Sequence, residues 1–179
     1  MRLPALFLAL ALWSCATPAP PPQLVTLTPS DAATSLAMGG PVTMTIQPPP
    51  VGGPEGEDPL ILMILRSSDG RAMSFDESNH APTHVMAQAP GGALAQIMGL
   101  PDAATPKLYG ARHDEDHGAP FICAPDGPLS IGYYEAPDGS VTIFGLKQGI
   151  GFETHPDGTM TALPYSPDQI CARLHFRRS

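Results

Sequence analysis

The sequence predicts a mainly β domain of the α+β type, an antiparallel meander sheet or small barrel with one or two short helices. Three observations predict it. Short apolar segments follow one another through the second half of the chain, a repeated Pro-Asp-Gly tripeptide separates several of them, and few segments have the caps and length of a helix. Proline presets the first central angle of a turn and glycine accepts a positive φ, so Pro-Asp-Gly favours turns between adjacent antiparallel strands.

The first third of the chain predicts a strand, a helix and a second strand before a break. These elements are a strand at Leu24 to Thr28, a short helix from Asp31 to about Met38, a strand at Val42 to Gln47, and a proline- and glycine-rich loop at 47–59. Ser30 and Asp31 can cap the helix because their side-chain oxygens accept hydrogen bonds from free backbone N–H groups. Gly39, Gly40 and Pro41 stop the helix, and the alternation of VTMTIQ is typical of a half-buried strand.

The most apolar segment after the first residues of the chain is Leu60 to Arg66, which lacks polar alternation. We therefore expect a central strand that is buried on both faces. A turn is predicted at 68–70, after which Arg71 to Phe75 returns as a hairpin partner. Thr83 to Gln88 is a weaker strand candidate, and Ala93 to Met98 follows two glycines as a short helix.

From Phe121 onwards, short strands alternate with turns. The predicted strands are Phe121 to Cys123, Leu129 to Tyr134, Val141 to Leu146, Gly149 to Thr154 and Thr159 to Leu163. The predicted turns are the tripeptides that begin at Pro125, Pro137 and Pro156, together with Lys147-Gln148. This order predicts a meander of neighbouring strands.

The last segment carries signals for both a helix and a strand. Ser166 to Gln169 has a capping box with proline at the first helical position. Residues 170–177, however, alternate between apolar and other side chains, a period of two that a helix could not bury on one face. We favour a closing strand, which places Ile170 and Leu174 on one face and Cys171 on the other.

The chain begins with the features of an export signal. Arg2 precedes an apolar run from Leu3 to Leu12, which as a helix is too short for a hydrocarbon core of about 30 Å. Leu12, Ser14 and Cys15 resemble the lipobox of bacterial lipoprotein precursors, although Trp13 is bulkier than the residue usual there.

This resemblance implies a signal peptide at 1–14, acylation of Cys15 and a proline-rich tether at 15–23. A single β-rich domain at 24–179 would follow, held at a membrane of the bacterial envelope with the domain in the periplasm. By the same resemblance, Ala16 favours the outer membrane over the inner one.

Net charge limits the partners of the exported part. Without Arg2, eight basic residues face 17 acidic ones, a net charge of −9. A surface of this sign repels phosphate groups, which argues against nucleic acid and against a polybasic membrane contact. We expect the membrane to be reached through the lipid anchor, and a second partner to be another envelope component.

Two cysteines remain once Cys15 is assigned to lipid. Cys123 and Cys171 would lie in an oxidising compartment, where an even pair predicts a disulfide. The closed loop of about 49 residues contributes roughly 4 kcal/mol in the loop-entropy model. The bond would join the last strand to the first strand of the meander. A redox or metal thiol pair is the alternative, but the Cys-x-x-Cys spacing is missing.

One acidic cluster has the chemistry of a metal site. His113, Asp114, Asp116 and His117 supply imidazole and carboxylate groups, which Zn²⁺ accepts as ligands. A solvated acidic loop explains the same residues without a metal. We expect no resident cofactor, with a divalent ion at this cluster as the alternative.

Local enzyme motifs such as Gly-x-Ser-x-Gly, His-Glu-x-x-His and the P-loop are missing. The sequence therefore favours a non-enzymatic binding or scaffolding module, with a metal-binding lipoprotein as the alternative. Phe121 to Cys123, Leu129 to Tyr133 and Val141 to Ile143 also resemble the membrane-bound lysozyme inhibitors. That resemblance implies a lipid-anchored small barrel with an inhibitory loop, although the family's Ser-Gly-x-x-Tyr and Trp-Lys-Gly segments are missing.

Overall fold

The computed structural model describes residues 20–48, 61–77, 86–112 and 118–179. Its strands are β1 (Gln23–Pro29), β2 (Val42–Gln47), β3 (Leu62–Arg66), β4 (Ala72–Glu77), β5 (Lys107–Arg112), β6 (Ser130–Glu135), β7 (Ser140–Leu146), β8 (Phe152–Thr154), β9 (Met160–Ala162) and β10 (Ile170–Arg178). Helices α1 (Ala32–Met38) and α2 (Ala93–Met98) lie between strands, and a 3-10 helix at Pro167–Gln169 precedes β10.

Eight of these strands form a closed antiparallel barrel in the order β1, β2, β3, β4, β5, β6, β7, β10. The barrel closes because β1 pairs with both β2 and β10, so that Leu27 lies opposite Val42 on one side and opposite Arg178 on the other. Strands β8 and β9 form a separate two-stranded hairpin. The prediction of a mainly β fold with a small antiparallel barrel is confirmed.

Apolar side chains fill the barrel. Successive strand residues point to opposite faces, and one face of each barrel strand contributes to a single buried cluster. Its largest fully buried members include Leu27, Met44, Met63, Phe75 and Phe176. An eight-stranded barrel has an interior that side chains can fill, so this interior is a packed core.

The segment before β6 plugs one end of the barrel. Phe121 and Ile122 are buried in the barrel core, and a disulfide joins Cys123 to Cys171 with 5.3 Å between the Cα atoms. Gly145 on β7 makes room for this bond, because a Cβ there would overlap the Cys123 sulfur. We call this end the plugged end.

A second apolar cluster lies on the outside of the barrel, where α2 packs on β6 and β7. Leu94 and Met98 of α2 contact the outward-facing Phe144. Gly132 on β6 allows this close approach, since a Cβ there would lie 2.9 Å from both Leu94 Cδ1 and Met98 Sδ.

Local signals in the sequence located several elements correctly. Helix α1 begins after Asp31, whose Oδ1 accepts a hydrogen bond from the Thr34 N–H at 2.7 Å, and ends at Gly39, whose φ is +68°. The predictions for β1, β2, β4, α2, β6, β7 and β9 are also confirmed. The 3-10 helix carries the predicted capping box and β10 follows it as the favoured strand.

Three predictions about strands were wrong, and one strand was missed. Residues 121–123 form bends and not a strand, because they fill the barrel end instead of pairing. Strand β3 is fully buried on one face only, since its outward residues Leu62 and Ile64 are half-buried. Residues 86–88 are helical, while 83–85 lie outside the described residues. Strand β5 was not predicted at all.

The meander also differs from the prediction after β7. Strand β7 pairs with β10 and not with β8, so the β8–β9 hairpin lies outside the barrel. A register shift between Ile170 and Ala172 places Ile170 against the outer cluster and Leu174 in the barrel core. The expectation that Ile170 and Leu174 share a face was therefore wrong. The disulfide joins β10 to the plugging segment and not to a strand.

Within the described ranges, no helix is both long enough and apolar enough to cross a bilayer. Of the proline- and glycine-rich loop predicted at 47–59, Gln47 ends β2, and residues 49–59 lie outside the described residues.

Candidate functional site

The end of the barrel opposite the plug carries a row of polar side chains, and we call this end the mouth. Eight strand ends meet there, namely the first residues of β1, β3, β5 and β7 and the last residues of β2, β4, β6 and β10. Because inward-facing positions recur every second residue, the last inward residue of several strands lies at this rim. Polar side chains occupy these positions on four strands.

Glu77 and Lys107 form the first ion pair of the mouth. Glu77 ends β4, and its side chain is only 3 % exposed. Lys107 begins β5, and its Nζ donates to Oε1 of Glu77 while its own side chain stays half-exposed. A buried carboxylate is costly unless it is paired, so the ion pair with Lys107 offsets the burial of the Glu77 carboxylate at the edge of the core.

Two tyrosine rings lie next to this pair inside the barrel. Tyr109 pairs with Glu77 across β4 and β5, and its ring meets the Tyr133 ring edge-on with 6.3 Å between centroids. Burial, together with the negative charge of Glu77, raises the pKa of Tyr109 well above its ordinary value. Burial and the hydrogen bond to Glu135 do the same to the pKa of Tyr133. Both phenols therefore stay protonated, so that each can donate a hydrogen bond.

Glu135 and Arg178 form the second ion pair. Nη1 of Arg178 donates to Oε1 of Glu135 at 2.8 Å, and the Tyr133 hydroxyl donates to Oε2 of the same carboxylate at 2.9 Å. These bonds, that of Arg178 first, hold the pKa of Glu135 below its ordinary value. The second pair thus holds Tyr133 in place, and its carboxylate has both oxygens occupied.

Tyr109 differs from Tyr133 in lacking a hydrogen-bond partner for its hydroxyl among the described residues. Tyr109 is only 4 % exposed as a residue, but among the described residues the buried side-chain oxygen without a partner is that of Ser130, so the Tyr109 hydroxyl reaches solvent at the mouth. A protonated phenol between Lys107 and Tyr133 can donate to an acceptor oxygen of a bound molecule. The mouth is therefore the candidate binding site.

These mouth residues were not singled out from the sequence. Lys107 and Tyr109 lie on the strand that was missed. Glu77 lies two residues beyond the end of a predicted strand, and Glu135 lies one residue beyond the end of another. One signal was available: an acidic residue two positions after a buried aromatic one, as in Phe75 and Glu77, continues the inward face of a strand to its end.

The predicted site residues fall into two groups. Cys15 and the cluster His113, Asp114, Asp116 and His117 lie outside the described residues, so lipidation and metal binding stay predictions. In the part of the chain that is described, no three His, Cys, Asp or Glu residues are grouped as metal ligands. Cys123 and Cys171 form the predicted disulfide.

A shallow groove of about 550 Å³ runs beside this disulfide at the plugged end. Asp126, Lys147 and Ile170 line it together with the two cysteines. Lys147 is exposed, and none of the described carboxylates forms an ion pair with it. The groove is open to solvent and is lined by fewer polar side chains than the mouth, so it is a weaker candidate.

The chain matches no protein-family model, no curated protein and no solved structure.

Proposed function

We propose that the protein is a lipid-anchored lipoprotein of the bacterial envelope that acts by binding, with the barrel mouth as its binding site. The observation that carries the binding role is the protonated hydroxyl of Tyr109 at the rim, which lacks a partner among the described residues and reaches solvent. The packed interior supports recognition at the rim, because a ligand cannot enter a barrel that side chains already fill. The missing catalytic motifs agree with a non-enzymatic role.

The chemistry of the mouth defines the class of ligand. Tyr109, Lys107 and Arg178 present hydrogen-bond donors, and the two cations are half-exposed. Charged donors bind carboxylate and phosphate oxygens with short hydrogen bonds. The ligand is therefore a small molecule or a chain end that carries a carboxylate or phosphate group, placed so that one oxygen accepts from Tyr109.

Binding is tested on a fragment that spans residues 16–179. Every described strand and the whole buried core lie between Gln23 and Arg178, so this fragment contains the complete barrel. Trp13 is the single tryptophan of the chain, and the fragment therefore reports on its tyrosines by fluorescence without interference. Acetate, glycine, inorganic phosphate and phosphoethanolamine are titrated separately, and thermal unfolding is measured beside fluorescence.

We expect at least one of these compounds to change the tyrosine fluorescence and to raise the unfolding temperature. At a concentration 100 times its Kd, a ligand stabilises the folded state by about 2.7 kcal/mol. Tyr109→Phe removes only the hydroxyl and should abolish the response, whereas Tyr134→Phe alters an outward tyrosine and should preserve it. An equal response in both variants, or no response to any compound, would contradict the proposed site.

The anchor is tested on the full chain in a bacterial host. We expect radiolabelled palmitate to enter the wild-type protein and to be lost in Cys15→Ser. Fractionation should place the wild type with the outer membrane and its domain on the periplasmic side. An unmodified amino terminus in the soluble cytosolic fraction would overturn the lipoprotein assignment.

A further inference from the structure

The outer surface of β10 is basic on a chain that is acidic as a whole. Leu174 and Phe176 point into the core, so Arg173, His175 and Arg177 alternate with them on the outer surface, and all three are exposed. Alternate residues of a strand are about 6.8 Å apart, which makes this stripe about 14 Å long. Two arginines and one histidine thus form one line on the outer surface.

The neighbouring strands contribute uncharged side chains to the same surface. Outward positions of β1 are Leu24, Thr26 and Thr28, and those of β7 beside the stripe are Ser140 and Thr142. We call this surface, from β1 across β10 to β7, the basic face. The strand positions facing outward here include no acidic residue. Asp31 and Asp138 act electrostatically on His175 and Arg177 from the connections at the two ends.

The basic residues of this face are not used up in ion pairs. Arg71, Lys107, Arg112 and Arg178 each form an ion pair with a described carboxylate, whereas Arg173 and Arg177 form none. The guanidinium of Arg173 instead stacks on the ring of Phe144, 4.7 Å from its centroid. Stacking fixes the group in position and leaves its N–H donors free for an anion.

The start of the barrel indicates what lies against this face. Strand β1 begins at Gln23, eight residues after Cys15, and an extended proline-rich segment of that length reaches about 25 Å. Leu24 is 72 % exposed and points outward from β1, in line with Thr26 and Thr28. Thr28 lies opposite Arg177, so Leu24 lies on the same outer surface about 14 Å further along β1. A bilayer interface accepts both kinds of group, because apolar groups enter it and basic groups meet head-group phosphates.

We propose that the basic face is a membrane-contact surface that binds the phosphates of anionic phospholipid head groups through Arg173, His175 and Arg177. The choice of a membrane as the partner rests on the lipid anchor of the proposed function. The basic face is observed in the structure and does not depend on that anchor. The net charge of −9 does not prevent this contact, because charges beyond about 10 Å are largely screened at about 0.1 M salt. The charge close to the bilayer therefore determines whether this surface binds it.

The test uses the unlipidated fragment of residues 16–179, so that a missing anchor and a missing contact are distinguishable. Its binding to vesicles of phosphatidylglycerol and of phosphatidylcholine is measured by co-sedimentation. We expect binding to the anionic vesicles, none to the zwitterionic ones, and a loss as ionic strength rises. Arg173→Gln with Arg177→Gln should weaken binding about 30-fold, since each basic residue contributes roughly a fivefold change at such a surface.

Two matched variants control for charge and for folding. Arg66→Gln with Lys147→Gln removes the same charge from exposed residues elsewhere and should leave binding within about twofold. Arg173→Lys with Arg177→Lys keeps the charge and should retain most of the binding. Equal losses in the two glutamine pairs, or no binding to anionic vesicles, would overturn the proposal. Binding to heparin without binding to vesicles would also overturn it, in favour of a soluble polyanion.

Discussion

Removing the disulfide should lower the stability of the barrel by an amount set mainly by the loop it closes. Cys123 and Cys171 are 48 residues apart in sequence, and a loop of this length contributes about 4 kcal/mol in the loop-entropy model. For a domain of this size, each kcal/mol changes the unfolding temperature by about 2–4 °C. Reduction should therefore lower the unfolding temperature by about 12 °C.

The position of the bond adds a local effect to this global one. Phe121 and Ile122 fill the end of the barrel, and each buried side chain of this kind contributes about 1.5–3 kcal/mol. The disulfide holds the chain directly after them. When it is reduced, the plugging segment should open before the barrel unfolds and become accessible to proteases at residues 118–127.

Differential scanning calorimetry of the 16–179 fragment, with and without reductant, measures the global effect, and limited proteolysis measures the local one. The variant with Cys123→Ala and Cys171→Ala is the control, because it should match the reduced wild type and be insensitive to reductant. A decrease of less than about 3 °C in the wild type would refute the calculation. Cleavage elsewhere before cleavage at the plug would refute the assigned order of opening.

Three further predictions concern the core and the mouth. Gly145→Ala should lower the free energy of unfolding by about 1–3 kcal/mol in the oxidised protein, because its methyl group meets the disulfide. The decrease should be smaller after reduction, and urea unfolding of both states measures the difference. The pKa of Glu135 is lowered in the folded state, so its contribution to stability is present above its unfolded pKa, near 4.5, and is lost as the pH falls through the lower folded value. Urea unfolding across this range should show the loss in the wild type and not in Glu135→Gln. The pKa values of Tyr109 and Tyr133 are raised in the folded state, so their contribution to stability is retained below about pH 10 and decreases above it. In a spectrophotometric titration both tyrosines should ionise only as the protein unfolds. Ionisation of all tyrosines before unfolding would contradict this prediction.

Short-range signals predicted the elements that local chemistry determines. Asp31 and Gly39 provide the two caps of α1, and both act within one turn of the helix. The hairpin turn that begins at Pro137 is fixed by its own residues, with the Gly139 N–H donating to the Ala136 carbonyl at 3.0 Å. Such features do not depend on the rest of the fold, so a sequence pattern is sufficient to find them.

Strand β5 was missed because it has apolar contacts on both faces and little alternation. Leu108 faces α2 on the outside of the barrel, and Tyr109 faces the barrel core. Gly110 follows these two residues and weakens the strand signal, because glycine is uncommon inside strands. The register shift before Ala172 escaped prediction for a different reason. A bulge inserts one residue into a strand. The sequence alternates in the same way with or without that residue, so the bulge becomes visible only when the pairing partner is known.

The candidate site could not be predicted because tertiary pairing creates it. Glu77 and Lys107 are 30 residues apart, and Glu135 and Arg178 are 43 residues apart. Each residue alone looks like an ordinary charged residue near the end of a strand. Only the circular order of the strands brings two ion pairs and two tyrosines to one rim, and that order depends on closure between β1 and β10.

This closure also determines when the protein can fold as it is made. Strand β1 is synthesised early, yet one of its two partners is β10, and the Thr28 and Ser179 hydroxyls that meet beside the joint are 151 residues apart. Until β10 has emerged from the ribosome, the sheet of the nascent chain is open and β1 lacks this partner. The barrel therefore closes only after all of its other strands have been synthesised.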